Sequence, residues 1–197
     1  MFMSEKLIQG IRDSVAEFYE RRPVGKVDFD GQEENAIRFI RRLEQGNFTQ
    51  AENPYNHFCV YFAAYDPKLK EVFIGHHKKS GLWLFNGGHI DEGESPQEAL
   101  EREMGEEWGI EMTADEVGGS SLLTITDVEN PGRQQCTLHY DIWYFVPVNK
   151  VEFEPDEELL SKEFYQTDWK SIADANELIT DENTILAIRE IVNRLEK

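Results

Sequence analysis

The stretch from Gly88 to Ile110 constrains this chain more than any other part of it. It reads GHIDEGESPQEALEREMGEEWGI, a glycine-rich turn followed by a run of helix-forming residues. Ser95, Pro96 and Glu98 indicate a helix start, because Ser caps free backbone N–H groups, Pro suits the first helical position and Glu completes a capping box. The sequence therefore predicts a helix that begins directly after the turn.

Three glutamates of this predicted helix share nearly one face. At about 100° per residue, Glu103, Glu106 and Glu107 fall within roughly 100° of arc. An adjacent apolar stripe is predicted to face a sheet: Leu100, Met104 and Trp108. Like charges at this spacing repel, and partial burial increases the repulsion. Mg²⁺, which prefers carboxylate and phosphate oxygens, would relieve it. The alternative is an ordinary acidic helix face in a chain with 39 Asp and Glu.

The net charge of −19 limits the possible partners. A nonspecific grip on DNA or on an anionic membrane needs clustered Lys and Arg, so neither is expected. A nucleotide substrate stays possible because a bound divalent metal reverses the sign of a local site. No stretch has the length of a transmembrane helix, and the N-terminus lacks the apolar core of a signal peptide. A cytoplasmic protein is therefore expected.

Changes of hydrophobic period predict an α+β fold. Helical spacing indicates helices over 4–21 and in the thirties up to Gly46, a short helix at 172–178 and a final helix ending near Leu195. Strands are predicted at 56–65, 71–77, 81–85, 120–128, 135–148 and 163–169, with a turn at 129–133 and an acidic loop at 149–162. We expect an N-terminal helical extension at 1–46 and a main domain at 47–197.

The spacing from Gly88 onward resembles the signature box of the Nudix hydrolases. The matching residues are Gly88, Glu94, Arg102, Glu103, Met104, Glu106, Glu107, Gly109 and Ile110. Short segments at 47–49, 87–89 and 139–141 look like a bacterial subset of undefined substrate. The resemblance implies an α/β/α sandwich around a mixed sheet and cleavage of a phosphoanhydride bond in a nucleoside diphosphate-linked or related molecule. Asn86 stands where the family often has proline, which is expected to affect turn rigidity more than chemistry.

The resemblance also implies roles for individual residues. Mg²⁺, or Mn²⁺, would be held by Glu103, Glu106 and Glu107, with the Gly87 carbonyl and Glu163 as further ligands. Glu103 or Glu106 would accept a proton from the attacking water.

Arg102 has two possible roles in the box. It is expected to pair with Glu94 and hold the loop against the helix, and the alternative is a direct phosphate clamp. Gly88 and Gly109 would shape the backbone at the two ends of the box.

Polar residues outside the box are candidates for substrate binding. They are His77, Lys79, His89, His139 and Asp141. For the first two the alternative is an exposed hairpin end. For His139 and Asp141, which alternate on one strand, the alternative is a hydrogen-bonded strand pair. A homodimer is possible.

Two other functions stay open. One is a nucleotide-binding or regulatory module that has lost catalysis, against which the intact box argues. The other is isomerisation of isopentenyl diphosphate on the same fold, which uses a cysteine near the glycine turn. The nearest cysteine, Cys59, falls on an earlier strand, and both Cys59 and Cys136 are expected to be buried free thiols.

Overall fold

The computed structural model describes residues 2–21, 31–128 and 135–196. The chain forms two compact units, each assembled from three stretches. Unit 1 comprises Met1–Val60, Gly88–Leu100 and Gly119–Tyr144, and unit 2 comprises Tyr61–Gly87, Glu101–Gly118 and Phe145–Lys197. The predicted turn at 129–133 lies outside the described residues. The predicted domain boundary at residue 46 stays a prediction.

Seven strands form one mixed sheet with the order β3-β2-β1-β6-β5, in which β4 also pairs with β1 and β7 with β2. Their bounds are β1 Asn56–Asp66, β2 Glu71–His77, β3 Trp83–Leu84, β4 Asn86–His89, β5 Leu122–Asp127, β6 Leu138–Pro147 and β7 Phe164–Ser171. The hairpin of β1 and β2 and that of β5 and β6 are antiparallel.

Strands β1 and β6 run parallel. The carbonyl of Tyr55 accepts a hydrogen bond from Leu138 N–H at 3.0 Å, and that of Tyr65 accepts one from Val148 N–H at 2.9 Å. The residue numbers of the donors and of the acceptors increase in the same direction, which occurs only between parallel strands. The α+β class with a mixed sheet is therefore confirmed.

Seven helices accompany the sheet within the described residues. They are α1 Phe2–Arg21, α2 Gln32–Leu43, α3 Pro96–Trp108, α4 Ala114–Val117, α5 Glu157–Glu163, α6 Ile172–Leu178 and α7 Glu182–Leu195. The helices predicted at the two ends of the chain and after the glycine turn are confirmed. Within the part of the chain that is described, no helix combines the length and apolarity needed to cross a membrane.

Helix α5 corrects the prediction of an acidic loop at 149–162 and a strand beginning at Glu163. The Asp156 side chain accepts hydrogen bonds from the N–H groups of Glu158 and Leu159 at 2.8 and 3.1 Å, which caps the helix. Leu160 is buried on it. A good cap and one apolar anchor outweigh the acidic composition, so Glu163 ends a helix and the strand begins one residue later.

Unit 1 contains the N-terminal helices. Helix α1 buries four apolar side chains on one face: Leu7, Ile11, Val15 and Phe18. Helices α1 and α2 contact each other, and both contact β5. Arg42 of α2 is buried and donates to the carbonyls of Gly46, Asn47 and Asn56 and to the Asn56 side chain, at 2.7–2.8 Å. These hydrogen bonds from the guanidinium group hold the segment that leads into β1 against α2.

Unit 2 is built around aromatic rings. Trp108, at the end of α3, meets Phe62 of β1 edge-on at 4.7 Å and Phe153 at 5.0 Å between ring centroids. Gly75 of β2 faces Phe164 of β7, whose ring lies 2.2 Å from where a Cβ would stand. Only glycine leaves room for that ring, so β7 can pair with β2 beside α5.

Candidate metal and active site

Helix α3 presents its glutamates at different depths. Met104 and Trp108 are fully buried and anchor the helix, as the apolar stripe predicts. Glu103 is buried and Glu106 is exposed. Glu107 is half-buried as a whole residue, but its carboxyl group is buried. The helix therefore carries a row of carboxylates from its packed face out to solvent.

Glu107 is the most perturbed carboxyl group of the box. Burial of the group, together with the charges of Glu103 and Glu163, raises its pKa to about 8. Two hydrogen bonds oppose the shift, one donated by the Asn86 side chain and one by the Gly87 N–H. Burial and two like charges disfavour the ionised form of this carboxyl group, and a bound cation would stabilise that form.

Asn86 makes a contact with the box in addition to the expected effect on turn rigidity, which stays a prediction. It is buried, and its Nδ2 donates to Glu107 Oε2. Proline has no side-chain donor, so at this position it could not hold the carboxylate. Asn86 and Glu107 are 21 positions apart in the sequence, so no local pattern indicates this contact.

Arg102 joins the two candidate proton acceptors. Its Nη1 donates to Glu103 Oε1 at 2.8 Å and to Glu106 Oε2 at 3.2 Å. The predicted pairing with Glu94 stays a prediction. The Glu94 carboxylate accepts a hydrogen bond from Asp91 N–H at 3.0 Å, which closes the loop before the helix on itself.

The end of the box requires glycine for two reasons. Gly109 has a φ of 67°, a left-handed conformation that favours glycine after a helix. A Cβ at this position would lie 3.1 Å from Cβ of Asp156, the residue that caps α5. Gly109 thus follows the end of α3 and leaves room for the start of α5.

Glu163 lies among cationic and titratable side chains at the end of α5. Its Oε2 is 2.9 Å from Lys79 Nζ and 3.6 Å from His77 Nε2. Burial acts to raise the pKa of Glu163, but Lys79 and His77 outweigh it, so the pKa is lowered. Burial is the main cause of the lowered pKa of His77, which is therefore neutral at neutral pH. Glu163 therefore contacts both side chains at the end of this hairpin. The role of His77 and Lys79 in substrate binding stays a prediction.

The other three predicted substrate contacts lie in unit 1. The rings of His89 and His139 contact each other and that of His57, with centroids 4.7–5.4 Å apart. Asp141 accepts hydrogen bonds from the hydroxyls of Thr124, at 3.1 Å, and Thr126. These placements identify partners within the protein, and binding of substrate by the three residues stays a prediction.

The carboxylates of unit 2 fit a hard divalent cation. Glu107 feels the charges of Glu103 and Glu163, and all three offer oxygen, the donor that Mg²⁺ and Mn²⁺ prefer. Glu106 adds an exposed carboxylate on the same helix. These residues could hold a metal and, beside it, a phosphate group.

Comparison with known proteins supports the resemblance. A family model described as NUDIX domain matches residues 56–189. The chain is similar in structure to the MutT protein of Methanosarcina mazei Go1, with a TM-score of 0.54 and 18% identity over 73% of this chain and 96% of that one. A comparison with curated protein sequences gives no match.

Two further solved structures share the fold. One is the E. coli dihydroneopterin triphosphate pyrophosphohydrolase, with a TM-score of 0.51 and 19% identity over 69% of this chain and 95% of that one. The other is a C. elegans Ap4A hydrolase, with a TM-score of 0.51 and 19% identity over 71% and 97%. With two thirds of its length matched by the family model, and the box intact from Gly88 to Ile110, the chain belongs to the Nudix hydrolase family.

Proposed function

We propose that this chain is a Mg²⁺-dependent pyrophosphohydrolase that cleaves a phosphoanhydride bond in a nucleoside diphosphate-linked or related small molecule. The observation that carries the proposal is the Glu107 carboxyl group, buried beside the charges of Glu103 and Glu163. Carboxylates concentrated in this way suit a cation and repel a free phosphoanhydride. Mn²⁺ has the same donor preference and could replace Mg²⁺.

Glu103, Glu106, Glu107 and Glu163 would hold the metal, together with the Gly87 carbonyl. Bound there, the ion would neutralise phosphate charge and lower the pKa of a coordinated water. Asn86 and the Gly87 N–H orient Glu107 through their hydrogen bonds. Such supporting contacts are a regular part of metal sites, since they hold a ligand in one orientation.

The proton released by the attacking water would go to Glu103 or Glu106. Arg102 contacts both carboxylates, so it holds the two candidates in place with one guanidinium group. Arg102 is thereby a positioning residue in this proposal, and its alternative role as a phosphate clamp would require it to leave one of these partners.

His77 and Lys79 are the proposed phosphate contacts. His77 is neutral at neutral pH and could donate one hydrogen bond, whereas Lys79 carries a charge. Both now contact Glu163, so a bound metal at Glu163 would compete with them for the carboxylate. Binding of the metal and release of Lys79 toward substrate phosphate would then be coupled. His89, His139 and Asp141 stay secondary candidates for the rest of the substrate.

The experiment is a hydrolysis screen with and without Mg²⁺. The panel contains nucleoside triphosphates, nucleoside diphosphate sugars and dinucleoside polyphosphates such as Ap4A. It also contains dihydroneopterin triphosphate, because two of the proteins with this fold are named for these last two substrates. We expect turnover of at least one member that requires Mg²⁺ and releases a phosphate or a nucleoside phosphate.

The control is a glutamate of the same helix. Glu101 is exposed and its side chain accepts a hydrogen bond from Ala114 N–H, which the amide oxygen of a glutamine could also accept. Glu101→Gln should therefore keep activity, while Glu107→Gln should lose it. Tight nucleotide binding without turnover would instead support a binding module, and an allylic diphosphate product would support an isomerase.

A further inference from the structure

Unit 1 contains a second group of possible metal ligands that the hydrolase site does not use. It consists of His57 and Cys59 on β1, His89 at the end of β4 and His139 on β6, and is called the His–Cys cluster below. One ligand atom from each residue lies within 4.8 Å of all the others. Strands β4 and β6 both pair with β1, so three neighbouring strands bring the four side chains together.

The first strand supplies two of the four residues. His57 and Cys59 are separated by one residue, so their side chains point to the same face of β1. Both are buried, with 0% and 2% of their surface exposed. A histidine and a thiol buried side by side are groups that metals of intermediate softness prefer.

The protonation of His57 is fixed by its backbone contact. Its Nδ1 lies 3.0 Å from the carbonyl oxygen of Asn53. A carbonyl can only accept, so Nδ1 carries the hydrogen and Nε2 keeps its lone pair. Ligating histidines are commonly oriented in this way, with the other ring nitrogen donating to a carbonyl.

His139 supplies a second ring nitrogen. Its Nε2 is buried and has no hydrogen-bond partner among the described residues. Burial, followed by the neighbouring rings of His57 and His89, lowers the pKa of His139 to about 3, so the ring is neutral at neutral pH. A buried polar atom without a partner is costly, and a metal ion bound to this nitrogen is one way to satisfy it.

We propose that the His–Cys cluster is a structural zinc site with His57, Cys59, His89 and His139 as its four ligands. Nitrogen and thiolate donors suit Zn²⁺ and do not suit Mg²⁺. A closed set of four protein ligands is typical of structural zinc. Zinc–ligand bonds of about 2.0–2.3 Å place tetrahedral ligand atoms roughly 3.3–3.7 Å apart, so side-chain movements of about 1 Å would complete the site.

The experiment uses Co²⁺ as a spectroscopic probe of the full-length protein after removal of metals with a chelator. Tetrahedral Co²⁺ bound to a thiolate has visible ligand-field bands and a near-ultraviolet sulfur-to-cobalt charge-transfer band. We expect both, and we expect about one equivalent of Zn²⁺ per chain to abolish them. Co²⁺ at the carboxylates of α3 cannot produce the sulfur band, because its ligands there are oxygens.

Two variants test the ligand set. Cys59→Ser should remove the sulfur band, and His139→Gln should weaken Zn²⁺ binding about tenfold or more. If Cys59→Ser does not fold, as judged by near-ultraviolet circular dichroism, His139→Gln still decides the outcome because His139 is less deeply buried.

Two matched variants serve as controls. Cys136 is also buried, with its sulfur 3.7 Å from His57 Nε2, and His76 stacks on Trp83 in unit 2. Cys136→Ser and His76→Gln should both keep the band. Absence of the band in the wild-type protein, or its survival in Cys59→Ser, would overturn the proposal. Glu107→Gln should keep the band too, so the zinc site and the hydrolase function can fail separately.

Discussion

Burial has opposite effects on the pKa values of two clusters. One is the carboxylate cluster of unit 2, formed by Glu103, Glu107 and Glu163, and the other is the His–Cys cluster of unit 1. Burial disfavours the charged form of any group. It raises the pKa of Glu107 to about 8 and lowers that of His139 to about 3. Each cluster is thus driven toward neutrality, one by gaining protons and the other by losing them.

In both clusters, a neighbouring amide group forms a hydrogen bond with one of the proposed metal-binding side chains. Asn86 donates its side-chain N–H to Glu107, and the Asn53 carbonyl accepts from His57. The donor stabilises a carboxylate, whereas the acceptor fixes the hydrogen on Nδ1 of His57, so that Nε2 carries the lone pair. The oxygen donors of the first cluster suit a hard cation, and the nitrogen and sulfur donors of the second suit a softer one.

The largest expected effect is on catalysis. Replacing the residue that accepts the proton, by Glu103→Gln or Glu106→Gln, should lower kcat about 10²–10⁴-fold, the usual contribution of general acid–base catalysis. Steady-state kinetics on the best substrate of the screen measures the loss, and the pH–rate profile identifies which of the two is the base.

The matched control for these variants is Glu101→Gln, which should retain kcat. The cobalt charge-transfer band of the His–Cys cluster should be unchanged in both active-site variants. Loss of that band in Glu103→Gln would contradict the assignment of the two clusters to separate metal sites.

The pH dependence of stability should have opposite signs in the two clusters. Glu107 ionises near 4.5 in the unfolded chain and near 8 in the folded one. As the pH rises between these values, only the unfolded chain loses the proton. The free energy of unfolding of the chelator-treated protein therefore falls by up to about 1.4 kcal/mol for each unit of rise in pH. Denaturant titrations across this range should show the slope in the wild type and its loss in Glu107→Gln.

His139 should act in the acid range. Its pKa is 6.5 in the unfolded chain and about 3 in the folded one. As the pH falls from 6.5 toward 3, only the unfolded chain gains the proton, so stability falls by up to about 1.4 kcal/mol per pH unit. Denaturant titrations of His139→Gln should lack this contribution, while Glu107→Gln keeps it. Equal slopes in wild type and His139→Gln would contradict the assignment.

A smaller effect is expected at Asn86. Asn86→Leu keeps similar bulk but removes the hydrogen bond to Glu107. We expect about a tenfold rise in the Mg²⁺ concentration that gives half-maximal activity, as for other residues that orient a metal ligand. Magnesium titrations of activity measure it. A change in kcat at saturating Mg²⁺ with no change in the titration would contradict an orienting role.

The smallest effect is expected at Lys79. It is largely exposed, so the ion pair with Glu163 should contribute less than about 1 kcal/mol to stability. Lys79→Met should strengthen Mg²⁺ binding a few-fold, because Glu163 loses a competing cation, and should raise KM if Lys79 contacts substrate phosphate. Unchanged values of both would remove Lys79 from the site.

Local pattern was enough to predict much of the fold. Helix α3, the hairpin of β1 and β2 and helix α6 follow from capping residues, periodicity and turns, all of which act over a few neighbouring residues. Helix α5 was missed because the acidic composition around it resembles a solvated loop. Its signal, Asp156 ahead of an apolar residue at Leu160, is also local and could have been recognised.

The sequence by itself determined the family and the positions of the box glutamates, because helical spacing and a fixed motif are readable along one stretch of chain. The tertiary structure alone decided that Asn86 orients Glu107. The tertiary structure also brought Glu163, which the resemblance had implied as a metal ligand, near enough to raise the pKa of Glu107. It alone brought His57, Cys59, His89 and His139 together from three strands. Such contacts join residues far apart in sequence, and pairing of strands and burial, which no local pattern encodes, determine which of them meet.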